Sequence, residues 1–197
     1  MVIQPCRTNS RESKRAPTLS SFTPPWTTGI IFNTTTNFIA ASNQVARFIF
    51  ATEDGTISAW ASGTNALLKV DNSAAGAIYK GLALGRANGS NYLYAADFHN
   101  GKIDVVDGNF SPVTLSGSFT DPGIPAGFAP FGIESIGTNL FVTYAKQDAN
   151  KKDDVPGPGN GYVDIFDTSG KLVKRFASNG ALDSPWGVAM APAGFGR

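Results

Sequence analysis

The chain has 197 residues, with 16 Lys and Arg against 15 Asp and Glu, one His and one Cys. A net charge of +1 gives no global field for nucleic acid, a lone cysteine closes no intrachain disulfide, and no run of 18 apolar residues is present to span a membrane as a helix. Twenty-two glycines and only 16% charged residues describe a turn-rich, strand-built protein.

Residues 1–16 carry Arg7, Arg11, Lys14 and Arg15 but lack the apolar stretch of a signal peptide. They read as a disordered polar lead, with Cys6 inside it. Residues 17–197 read as a partial β-propeller. Its mark is a recurring phrase in which a turn or aromatic run closes on Gly and a strand begins. The phrase occurs at Trp26–Gly29, Tyr79–Gly81, Pro130–Gly132 and Pro185–Gly187, and the glycines stand 52, 51 and 55 residues apart. A repeat of that length filled with short strands is the pattern of propeller blades.

The first blade, 27–72, has a strand after Gly29, a hairpin over Arg47–Trp60 turning at Gly55, and a fourth strand at Leu67–Val70. The second, 78–121, repeats this with a strand after Gly81, a hairpin over Tyr92–Asp107 turning at Gly101, and a fourth strand at Val113–Phe119. In the third, 129–178, the hairpin from Leu140 to Asp167 is interrupted by an insertion, and Leu172–Phe176 is the fourth strand. An orphan inner strand follows at 185–192, and a stray outer strand is placed near 18–26. Ile103 and Val105 alternate with Lys102 and Asp104, as a half-buried strand requires. No stretch sustains a 3.6-residue period, so helix content near zero is expected.

The expected architecture is therefore all-β, with about three and a half four-stranded antiparallel blades. An open arc leaves blade edges exposed. Either the chain is a fragment of a longer propeller, the favoured reading, or copies associate through those edges to finish a ring. Phe131 and Trp186 are expected to wedge between neighbouring blades. Ser58, Asp104 and Asp164 fall at equivalent places in the three hairpins, which suggests a structural hydrogen bond to a neighbouring turn.

The phrases Arg47–Ser58, Val70–Ser73, Tyr79–Gly85, Thr143–Asp148, Asp153–Gly161 and Ser184–Gly187 resemble an uncharacterised family of secreted bacterial β-propellers of the NHL/YVTN kind, some with PEP-CTERM sorting signals. The resemblance runs from about residue 26 to the end. It implies a six-bladed ring in a longer polypeptide and an extracellular address, and it brings no established reaction.

In a four-stranded blade the hairpin turn and the connection to the next blade lie at one end, around the mouth of the channel. This gathers the candidate ligand-binding residues Glu53, Asp54, Asp97, His99, Lys146, Asp148 and Trp186, together with the Tyr79–Lys80 approach to the second blade. The insertion after Lys146 replaces a tight turn with about 15 residues, and long loops in compact domains are usually functional or disordered. Asp148, Asn150, Asp153 and Asp154 supply oxygen ligands suited to Ca²⁺ or Mg²⁺, although their spacing is not that of an EF-hand. A ligand lid and a solvated surface loop are the other readings of the same segment. His99, the only histidine, is either a surface turn residue or a general base oriented by Asp97.

No catalytic constellation emerges. The primary functional expectation is a non-enzymatic extracellular binding or scaffold module with an unidentified ligand or protein partner. The alternative is a divalent-metal-assisted hydrolase or lactonase, in which Glu134 joins Glu53, Asp97 or Asp154 at the channel mouth to hold an ion and activate water.

Overall fold

The computed structural model describes residues 26–196, so the lead over 1–16, the stray strand near 18–26 apart from Trp26, and Cys6 lie outside the described residues. The protein is all-β, with four antiparallel sheets and, among the described residues, a single 3-10 turn at Ser73–Ala75.

The first sheet has the order β1-β4-β5-β6, from Thr27–Phe32, Phe48–Thr52, Thr56–Trp60 and Leu67–Asp71. A small hairpin between its first two strands, β2 (Ile39–Ala41) and β3 (Gln44–Val45), forms a sheet of its own. The second sheet is β7-β8-β9, from Tyr79–Ala87, Ser90–Asp97 and Lys102–Asp107. The third is β10-β11-β12-β13, from Phe128–Ile136, Asn139–Lys146, Gly161–Asp167 and Leu172–Ser178. The first strands and hairpins of all three repeats thus stand where the recurring glycines place them.

Three elements differ from expectation. Val113–Phe119 is not a strand. Its backbone leaves β9 after one bridge at Pro112, and its last bond there is the Val113 N–H to the Val105 carbonyl at 2.9 Å. Gly117 and Phe119 then donate to the carbonyls of Ser169 and Gly170, at 2.8 and 2.9 Å, in the turn before β13. Residues 185–192 are also not a strand: they lie against β10, but among the described residues no strand forms a hydrogen-bonded ladder with them. The third difference is the β2–β3 hairpin itself. Its turn puts Ser42 and Asn43 at φ 45° and 64°, the left-handed pair of a type I′ turn. Asn33 fastens its base, donating through Nδ2 to Asn37 and Ala46 carbonyls at 3.0 and 2.9 Å, while Phe38 meets Phe110 edge-on with ring centres 5.3 Å apart.

Burial follows the strand alternation. One face of the first sheet (Ile49, Ala51, Ile57, Ala59) packs on Leu82, Leu93 and Val106 of the second. The opposite face of the second (Ala83, Tyr94, Val105) packs on Leu140, Val142 and Phe166 of the third. The first strands make the closest contacts. A Cβ built on Gly81 would lie 3.0 Å from the Ile133 nitrogen, and one on Gly132 would overlap the Trp186 carbonyl oxygen. Glycine is required there because backbone meets backbone.

Candidate functional site

One end of the stacked sheets collects the β4–β5 turn, the start of β7, the β8–β9 turn and the long β11–β12 loop. Gly55 of the first turn abuts Ala77, just ahead of β7. Asp97, fully buried, accepts from the Ile78 and Asn100 N–H groups at 3.2 Å each and from Asn100 Nδ2 at 2.8 Å, fixing the β8–β9 turn. Its role is to shape backbone.

Lys80 lies at the centre, only 3% exposed. Its Nζ donates to Glu53 Oε1 at 2.5 Å and reaches Asp153 Oδ1 at 3.5 Å, with the Phe98 ring 6.0 Å beneath it. A buried ammonium is costly unless paired, and here the partners come from two other segments, the β4–β5 turn and the long loop. Partial burial, then the adjoining Glu53 charge, raises the Asp54 carboxyl above its ordinary range, against the opposing Lys152.

The long loop is ordered by its own backbone. The Asp148 N–H donates to Asp153 O at 2.8 Å, and Asp148 Oδ1 accepts from the Lys152 N–H at 2.9 Å. The Val155 N–H returns to Lys146 O at 2.8 Å, and the Gly157 N–H donates to Asp183 Oδ1 at 2.6 Å. Gln147 Nε2 donates across to the Phe98 carbonyl at 2.5 Å, tying the loop to the second sheet. Phe98, Phe131 and Trp186 form an aromatic ladder with successive ring centres 5.2 and 4.8 Å apart.

Glu53, Asp153, Lys80 and, through Gln147, the His99 backbone are thus brought together. The four residues suggested for a cation are not: Asp148 caps its own loop, Asp153 turns to Lys80, Asp154 bridges to Gln147, and Asn150 is exposed. Among the described residues no three His, Cys, Asp or Glu side chains are grouped to hold a metal ion. Lys146 is exposed beside Phe128. Glu134 lies toward the other end of β10, opposite Phe141, in a shallow cleft with Val188 and Met190. His99 Nδ1 is buried without a partner, and Asp97 does not orient it.

The equivalent hairpin residues diverge. Asp104 accepts from the Tyr79 hydroxyl at 3.0 Å, which in turn accepts from Asn72 Nδ2 at 2.6 Å. Ser58 Oγ and both Asp164 oxygens are buried with no hydrogen-bond partner. Asp164 faces Asp121, which is ion-paired to Arg175, and burial followed by the Asp121 charge pushes its pKa up to about 7.

No protein-family model matches the chain. It is similar to three uncharacterized proteins of Acanthamoeba polyphaga mimivirus. To protein R648 it is 34% identical over 84% of this chain and 43% of that protein. To protein L690 it is 32% identical over 88% and 49%, and to protein R640 36% over 75% and 28%. The chain spans less than half the length of these relatives. They are viral, and nothing in them points to a secreted bacterial propeller family, so that resemblance is corrected. The expectation of secretion rested on it alone. No helix among the described residues is long and apolar enough to cross a membrane.

Proposed function

We propose that the chain is an arc of a β-propeller acting as a non-enzymatic binding module, with its ligand contacts at the end that carries Lys80. The carrying observation is the junction itself: the β4–β5 turn, the β7 start and the long loop meet on one buried ammonium. Support for the arc comes from the three first strands, which follow one another through the same glycine contacts, with the second sheet packing one face on the first sheet and the other on the third. Binding-module function fits loops converging on a rigid sheet scaffold. The metal-assisted hydrolase has weaker support, because Glu134 and Glu53 stand on separate elements and are not grouped with other ligating side chains among the described residues.

The test is amide-shift mapping on isotope-labelled protein against a panel of neutral, acidic and basic oligosaccharides and peptides. Shifts clustering at 53–54, 97–100, 147–154 and 186 are expected for at least one probe class. Shifts confined to a different face would overturn the placement of the site. A thermal-shift series with Ca²⁺, Mg²⁺, Mn²⁺ and EDTA tests the alternative, since an ion that binds the native state must raise its melting temperature.

A further inference from the structure

Residues 120–126 lead from the second sheet toward β10 and are fastened at both ends. The Phe119 N–H donates to Gly170 O at 2.9 Å, and Gly127 O accepts from the Gln147 N–H at 2.8 Å. Phe119 and Gly127 have φ of 53° and 90°, so a left-handed bend marks each end. Pro122 and Pro125 fix φ between them and stiffen the segment into a strap. Among the described residues, its hydrogen bonds to the sheets run only through Asp121, whose Oδ2 accepts from Arg175 Nε at 2.9 Å and from Arg175 Nη2. Gly123 lets the guanidinium seat, since a Cβ there would lie 2.5 Å from Nη2. Partly buried Ile124 packs against the core beside it.

Arg175 also faces a second carboxyl group, with Asp164 Oδ1 3.7 Å from Nε. Asp164 lies on β12, between β11 and β13, fully buried and with neither oxygen hydrogen-bonded. Around it stand Asp121 from the strap, Arg175 from β13 and the Tyr144 hydroxyl from β11, which is also buried without a partner. Burial pushes the Tyr144 hydroxyl far up, so it stays neutral. β9 brings the apolar Ile103 and Val105 to this interface, and β10 brings Phe128, edge-on to the Tyr162 ring that Arg175 overlies.

Two carboxyl groups thus compete for one guanidinium. With a proton on Asp164, Arg175 belongs to Asp121. Once that proton passes to solvent, two like charges share a slot in which the Asp121 side chain is only 8% exposed and Asp164 not at all, and one of them must leave. Asp164 is fixed in the sheet ladder, whereas Asp121 rides on the strap. The strap yields, and Arg175 closes the remaining distance to Asp164.

We propose that residues 120–126 form a pH-operated strap, latched to β13 through Asp121 and Arg175 while Asp164 carries a proton and released when Asp164 is ionised. The device is independent of any ligand at the Lys80 end.

Backbone order parameters of the isotope-labelled full chain test this at about pH 5.5 and about pH 8.5, on either side of the Asp164 pKa of about 7. Gly123, Ile124 and Ala126 should fall from about 0.85 to below about 0.6, while Val142 in the core stays at about 0.85. The Asp164 carboxyl carbon and the strap amides should titrate with one midpoint. Asp164→Asn should hold the strap at about 0.85 at both pH values, and Asp121→Asn should loosen it at both. A wild-type strap that stays rigid at the higher pH, or midpoints more than about one pH unit apart, would overturn the proposal. So would a strap that still loosens with pH in folded Asp164→Asn, or one that stays rigid in folded Asp121→Asn. If Asp164→Asn does not fold, the wild-type titration decides alone.

Discussion

Replacing Lys80 by methionine removes the charge and keeps most of the stem over Phe98. Glu53, whose side chain is 19% exposed, then faces no cation within a largely desolvated junction. Stranding one partner of a buried ion pair costs about 3 to 5 kcal/mol. Because Glu53 keeps some solvent, Lys80→Met is expected at the lower end, about 3 kcal/mol. Asp153 is half exposed and 3.5 Å from the ammonium, so Asp153→Asn should cost less than about 1 kcal/mol. The double variant Lys80→Met/Glu53→Gln should recover about 2 kcal/mol of the loss, since neither charge remains to be stranded. Urea denaturation with an unchanged slope reads all four proteins. A loss below about 0.5 kcal/mol for Lys80→Met, or no recovery in the double variant, would refute the claim that this pair holds the junction together.

Stability should fall as pH rises from about 4 to about 7 because of Asp164. Its pKa is lifted from 3.8 to about 7 in the folded protein, so the folded state favours the protonated acid. That contribution is present in full below about pH 4 and is lost as pH climbs through about 7, an effect of about 4 kcal/mol for about three pKa units. Asp164→Asn should flatten the urea midpoint between about pH 4 and 8; an unchanged pH slope would remove Asp164 as its source. Gly132→Ala forces a methyl group onto the Trp186 carbonyl, so it should displace 185–187 and red-shift tryptophan emission, with a loss of at least about 2 kcal/mol. Gln147→Ala removes the tie to the Phe98 carbonyl and should lower stability by about 1 kcal/mol, while hydrogen exchange at Val155 and Asn160 accelerates.

The recurring glycines made the repeat legible because the physical demand at Gly81 and Gly132, backbone against backbone, admits no other residue. The hairpins were legible through strand alternation and turns such as Gly55 and Gly101, both at positive φ. Val113–Phe119 misled because Val113, Leu115 and Phe119 alternate as a strand would, yet the segment spends its hydrogen bonds on the turn of the next sheet. Register with another element is not written in local periodicity. The β2–β3 hairpin was missed because strands of two and three residues leave too few positions for a pattern. At the site, turn topology was enough to gather Glu53 and Asp97 at the same end. Turn topology also brought the Tyr79–Lys80 approach to that end, but the burial of Lys80 at its centre was not legible, because lysines are rarely buried and nothing local announces one that is.

The central claim is that consecutive sheets stack through their first strands in one continuing order. Nuclear Overhauser contacts between glycine α-protons test it most directly in protein labelled at glycine and leucine. The account predicts strong cross-peaks from Gly29 to Leu82 and from Gly81 to Gly132. Their absence in a folded sample, or glycine contacts that pair the first sheet with the third, would contradict it.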